Sequence, residues 1–116
     1  MHRYKELLVW KKAMDLTEKV YDLTKSFPAD EKFGLISQMR RSAVSIPSNI
    51  AEGSGRNSKK EFNQFLAIAI GSLFELETQM MLSIRIGFET EKALGETLKK
   101  IDEIHRMLIG LMNSLK

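Results

Sequence analysis

Five cations gather in one stretch of this chain. Arg40, Arg41, Arg56, Lys59 and Lys60 stand against a single acid, Glu52, so residues 40–60 carry a local charge of +4. Arginine makes paired hydrogen bonds to phosphate, and Gly53 and Gly55 beside it permit close backbone approach. The chemistry offered is contact with an RNA or DNA backbone. Ion pairing with a neighbouring subunit, for instance through Glu75 or Glu77, would use the same side chains. Lys11 and Lys12 extend the patch if the first and second helices are adjacent.

A second row runs between the arginines. Ser42, Ser45, Asn49, Glu52 and Arg56 follow at intervals of three and four, so they share one strip of a helix. The strip is rotated by about one residue from the apolar seam of the same helix, which places it at a helix–helix or subunit boundary. Polar groups there require partners, because a buried unmet one costs about 1–3 kcal/mol. Two roles are open. The strip satisfies backbone groups freed by Pro47 and fixes packing register, or it lines a polar groove facing a ligand.

Catalytic patterns are weak. His2 and His105 are isolated in sequence, and His105 sits beside the seam of its helix as a flank residue. Ser42, Ser45 and Ser48 have no histidine nearby to activate them. Glu75 and Glu77 are two apart and diverge on a helix. No His/Asp/Glu cluster has metal-ligand spacing, and no cofactor is expected. Gly53-Ser-Gly-Arg56 lacks the full phosphate-loop spacing and follows no strand. The expectation is a non-enzymatic protein.

The elements that position these residues read as four helices and no strand. In the first, Leu7, Trp10, Met14, Thr17, Tyr21 and Thr24 form the stripe, widened by Val20 and Phe27. Phe27-Pro28 stops it, since proline disfavours helical geometry in the preceding residue. Asp30 is the expected N-cap of the second helix. There Ile36, Met39, Ala43, Ile46 and Ile50 keep register across Pro47, so the reading is one helix bent at Pro47, ended by Gly53 and Gly55. Ser58-Lys-Lys-Glu61 is a capping box opening the third helix. Its seam is Leu66, Ala69, Leu73, Leu76, Met80 and Ser83, and Gly87 closes it. The fourth follows Thr90 and is carried by Leu94, Leu98, Ile101, Leu108, Met112 and Leu115. Short loops make neighbours antiparallel. The fold class is all-α, an up-down antiparallel four-helix bundle, with residues 1–116 as one domain.

The third helix carries more apolar residues than one seam needs. Ile68, Ile70, Phe74, Met81, Ile84 and Phe88 lie off the stripe, while Ala67, Ala69, Gly71 and Ser72 are small enough for another backbone to come close. The excess argues for a face buried in a homo-oligomer. Trp10 and the seven methionines read as core filling.

Charge is uneven along the chain. Residues 1–60 hold 12 Lys/Arg against 7 Asp/Glu, and residues 61–116 hold 6 against 8. A basic front half attracts nucleic acid or an acidic partner. The absence of cysteine excludes disulfides and suits a reducing cytoplasm. No signal peptide is read at the start. The uncharged run Phe62 to Phe74 is short of the ~20 residues a membrane helix needs, so no membrane role is expected.

Several elements together resemble a known family. They are Trp10 with Ala13, Phe27-Pro28, Glu31, Gln38 with Arg40-Arg41, Ser45-Ile-Pro47, Asn49-Ile-Ala-Glu-Gly53, Arg56, and Ala69-Ile-Gly-Ser-Leu-Phe-Glu75. The chain is similar over almost its whole length to the small bacterial four-helix proteins encoded in intervening sequences of 23S ribosomal RNA genes, labelled S23 ribosomal-like. That resemblance implies a ring-shaped homopentamer. The chain is also similar to the accessory variability protein of diversity-generating retroelements, a basic pentameric barrel that engages a reverse transcriptase and nucleic acid. The leading expectation is RNA or ribonucleoprotein binding through the basic patch. The alternative is a structural assembly or adaptor protein without nucleic-acid binding.

Overall fold

Four helices carry the chain, and the local chemistry at their ends decides where each starts and stops. The computed structural model describes residues 3–116; His2 lies outside them. After a single 3-10 turn at Tyr4–Glu6, α1 spans Leu8–Thr24, α2 Leu35–Ser54, α3 Lys59–Arg85 and α4 Glu91–Ser114. Consecutive helices pack on one another and α1 also packs on α4, which closes an up-down four-helix bundle measuring 43 × 25 × 20 Å. Among the described residues, α3 alone is long and apolar enough, by length and composition, to cross a membrane; here its seam is turned inward between α2 and α4.

Ser58 caps α3 by accepting a hydrogen bond from the Glu61 N–H at 3.1 Å, and Thr90 caps α4 from the Ala93 N–H at 3.1 Å. These side chains satisfy donors that a helix start leaves unpaired. Gly87 closes α3 at φ 85°, where a side chain would be strained. The Phe88 and Gly87 N–H groups then reach back to the carbonyls of Ser83 and Ile84, at 2.9 and 3.1 Å. Phe88 turns inward and meets Phe27 with ring centroids 5.6 Å apart.

Asp30 is not the N-cap of α2. It sits in a separate turn, Ala29–Glu31, and the helix begins after Gly34 with no side-chain cap. Pro28 starts that turn, and Lys32, Phe33 and Gly34 intervene before α2. Gly53 also departs from its expected role. It lies inside α2, buried, where a Cβ would meet the Phe65 Cβ at 2.6 Å. Gly53 lets α2 and α3 approach closely; Gly55 is the C-cap.

The core holds the expected seam of α3, most of α4, and that of α2 except that Leu35 is buried where Ile36 is only half-buried. Met39, Ala43, Ile46 and Ile50 meet Leu66, Leu73, Leu76 and Met80, all fully buried, and Leu94, Ile101 and Leu108 join from α4. Each large aliphatic side chain removed from water contributes about 1.5–3 kcal/mol. Ile104 and Thr97 belong to the α4 seam as well, at 1% exposure each.

The stripe read for α1 is rotated. Val9, Ala13, Leu16, Val20 and Thr24 face the core, while Met14 and Tyr21 are 45% and 40% exposed and Trp10 is half-buried. α1 has two apolar rows, and the bulkier one borders α2 instead of entering the core. Core filling therefore holds for Met39 and Met80 but not for Met14 and Met81. Of the off-stripe residues of α3 and its exit, Ile70, Ile84 and Phe88 pack on this chain's own core, whereas Ile68, Phe74 and Met81 remain exposed.

Lys12 faces α4 and pairs with Glu103 at 2.8 Å. The hydrogen bond from Lys12, and then its charge, hold the Glu103 carboxyl below its ordinary range. Lys12 therefore clamps α1 to α4 and does not extend the basic patch.

Pro47 lies within an unbroken α2. It cannot donate to the carbonyl of Ala43, four residues earlier. That carbonyl accepts instead from the Thr17 hydroxyl of α1 at 3.0 Å, a donor that also bonds Ala13 O at 2.8 Å within its own helix. The expected compensation by the polar strip is thus supplied from α1. The strip faces α3, away from the freed carbonyl.

Candidate nucleic-acid interface

α2 presents a different chemistry on each flank. Its polar strip lies against α3. The Ser42 hydroxyl donates to Glu75 Oε1 at 2.8 Å, and the Ser45 and Ser72 hydroxyls share a hydrogen bond at 2.8 Å. Asn49 Nδ2 donates to the carbonyl and hydroxyl of Ser45 at 2.7 and 2.9 Å. These contacts fix the α2–α3 register. Near the Gln38 end the strip opens into a polar groove of about 370 Å³ that also holds Arg41, Glu75 and Gln79. Gln79 is 7% exposed and its Oε1 has no hydrogen-bond partner.

The five cations separate into three settings. Arg40 folds onto α1: its Nε donates to Thr24 Oγ1 at 2.9 Å, and its guanidinium lies over the Tyr21 ring, 4.5 Å from the centroid. Arg41 is exposed at the mouth of the polar groove and makes no ion pair among the described residues. Arg56, Lys59 and Lys60 stand at the other end of α2. Sixteen residues separate Arg40 from Arg56, about 24 Å along a helix axis. The cations contiguous in the folded chain are therefore Arg56, Lys59 and Lys60. Arg56 packs over Phe65 at 4.7 Å and pairs with Glu52 at 3.1 Å.

The fold adds three cations that the local sequence did not connect to this site. The turn holding Arg3 and Lys5 packs beside the end of α2, and the two elements line one pocket. In an up-down bundle the start of α1 and the α2–α3 loop share one end, so this grouping follows from topology once four helices are counted. The end of α4, with Lys116, lies at the same end. Six cations are gathered there against Glu6, Glu52 and Glu61.

The look-alike of a phosphate loop is absent as such. Gly53 and Ser54 are the last turn of α2, and the Ser54 hydroxyl donates to Ala51 O at 2.7 Å. His105 meets Phe74 edge-on at 4.8 Å, on the α3–α4 flank.

Fold and site together define a small antiparallel four-helix bundle with a basic end and a polar, hydroxyl-rich seam. The chain belongs to the 23S rRNA-intervening sequence protein family, whose model matches residues 5–110. A crystal structure of a protein of unknown function from the S23 ribosomal protein family of Bacteroides thetaiotaomicron is similar, with a TM-score of 0.81 and 25% identity. That likeness covers 90% of this chain and 98% of the other. A search of curated proteins finds no match.

Proposed function

We propose that the protein is a binding protein without a catalytic step, and that the basic end of the bundle takes the phosphate backbone of RNA. One observation carries this reading. Lys59 and Lys60 occupy the first turn of α3, beside the positive end of its dipole, and make no ion pair among the described residues. A cation there opposes the dipole by about 0.3–1 kcal/mol. The first turn of α3 holds one acid, Glu61, against these two lysines, whereas that of α4 holds Glu91 against Lys92 alone. Two lysines placed against the local field are better explained by an external anion than by stability. The family's link with 23S ribosomal RNA genes and the resemblance to the retroelement accessory protein favour a nucleic acid as that anion.

The test is RNA binding across salt for wild type and for Lys59→Glu with Lys60→Glu. Binding is expected to weaken by tenfold or more, while thermal stability stays level or rises by about 0.3–1 kcal/mol per substitution. Absence of RNA binding by wild type at low salt would sink the reading. Equal binding by both proteins would move it to another surface.

Assembly is a second reading with its own support. Met14, Tyr21 and Val44 on the α1–α2 flank, Phe33 in the loop before α2, and Ile68 and Leu82 on α3 are each at least 40% exposed. Apolar surface on two separate flanks suits head-to-tail contact between copies, the arrangement that closes rings. A homopentamer is the expected closure, consistent with the family resemblance. Assembly and RNA binding use different surfaces and coexist in this proposal. Arg41, free at the groove that holds Glu75 and Gln79, is placed for a subunit or protein-partner contact.

A further inference from the structure

A pocket of about 420 Å³ opens at the basic end, lined by Arg3, Tyr4, Lys5, Glu6, Ala51, Ser54 and Gly55. Two glycines flank Ser54, and only one has a structural reason. Gly53 is required by packing against Phe65. Gly55 has φ −87°, a value open to any residue, and a Cβ there would meet nothing nearer than the Glu52 carbonyl at 3.6 Å. A side chain at position 55 is sterically free, and glycine leaves the pocket clear. The aromatic wall is anchored, since Tyr4 meets Trp10 edge-on with centroids 5.3 Å apart.

The electrostatics discriminate between occupants. The last turn of α2 turns the negative end of its dipole toward Ala51, Ser54 and Gly55; Arg3 and Lys5 also line the pocket and are exposed, and Arg3 pairs with Glu6 at 3.4 Å. The carbonyls left over at that helix end offer a phosphate no donor, whereas the exposed Arg3 and Lys5 can hold one outside. A planar ring with amino donors would be accepted, stacked on Tyr4 with its N–H groups toward Glu6 or the carbonyls at the end of α2. Arg56, Lys59 and Lys60 follow within five residues of Gly55 and would hold the phosphates outside. From this we propose that the pocket receives one unpaired nucleobase, so that the protein prefers single-stranded RNA to duplex. The inference rests on the phosphate-binding reading above and deepens it. Single-strand binders combine a basic track with aromatic stacking in the same way.

Trp10 is the chain's one tryptophan, and its contact with Tyr4 makes its emission a reporter. The experiment titrates wild type and Gly55→Leu with a cytidine-rich single-stranded oligoribonucleotide, an RNA hairpin with equal phosphates, and heparin. Wild type is expected to bind the single strand about tenfold more tightly than the hairpin, the scale of one stacked base, with a change in Trp10 emission that heparin does not cause. Gly55→Leu should lose the preference and the emission change, keep its affinity for hairpin and heparin, and retain its melting temperature. Equal binding of single strand and hairpin by wild type would overturn the pocket and leave the basic end standing. A Gly55→Leu protein that keeps the preference would do the same. Failure of all three polyanions to bind at low salt would remove the phosphate reading and the pocket with it. Tyr4→Phe should behave as wild type and Tyr4→Ala as Gly55→Leu, which separates stacking from a steric effect of leucine.

Discussion

At the scale of single residues, Gly53 and Gly55 show how one residue type serves opposite ends. Gly53 lets α2 and α3 touch, and added bulk there must displace the Phe65 Cβ and the Phe62 backbone carbonyl, 2.6 and 3.3 Å from the new atom. Backbone and a Cβ cannot swing aside as a long side chain can. Gly53→Ala is therefore expected to destabilise by about 1–3 kcal/mol. A calorimetric scan should show a fall of several degrees in Tm. Gly55→Ala meets only the Glu52 carbonyl, at an unstrained 3.6 Å, and lowering the freedom of the unfolded chain should stabilise by about 0.4–1 kcal/mol. Equal losses from both substitutions would mean that α2 and α3 relax at Gly53 and that the close approach is not a constraint.

At the scale of elements, α2 tolerates an internal proline because α1 supplies the missing donor. Removing the Thr17 hydroxyl with Thr17→Val should leave the Ala43 carbonyl unmet, at a cost of about 1–3 kcal/mol. In a Pro47→Ala background the restored N–H serves that carbonyl, and the same Thr17 change should cost distinctly less. A double-mutant cycle by urea unfolding reads the coupling, expected at about 0.5–3 kcal/mol; zero coupling would detach Thr17 from Pro47. This dependence was not legible in the sequence, because Thr17 and Ala43 meet only after a reversal of the chain. The seams of α2, α3 and much of α4 were legible, since each helix has a dominant apolar row at three-four spacing. α1 misled because Trp10, Met14 and Tyr21 form a bulkier row beside the true one, and size suggested core where position meant boundary. The strip from Ser42 to Glu52 was legible in spacing, and its partners on α3 were not. Arg40 looked free until the fold brought Thr24 and Tyr21 beneath it. Arg3 and Lys5 joined the site only through the parity of an up-down bundle.

At the scale of the whole molecule, charge and apolar surface are arranged on different axes. Cations gather at one end of the long axis, whereas exposed Met14, Val44, Ile68 and Leu82 lie on its flanks. Copies joined flank to flank around an axis near the bundle direction bring their basic ends to one rim. Phosphate contacts then add across copies, and the salt dependence of RNA binding becomes a measure of assembly. A single chain using three or four cations on a single strand should give a slope of log K against log salt of about −2 to −3. A ring engaging several ends at once should exceed that. Val44→Glu and Leu82→Glu place charge on the two flanks, outside the core and far from Lys59 and Lys60. Each is expected to reduce the sedimentation coefficient to that of a monomer, leave the helical circular dichroism intact, and bring the slope down to the single-chain value. A wild type that already sediments as a monomer would refute assembly. An oligomer whose slope does not change on dissociation would show that one basic end is enough, and that the rim contributes nothing to binding.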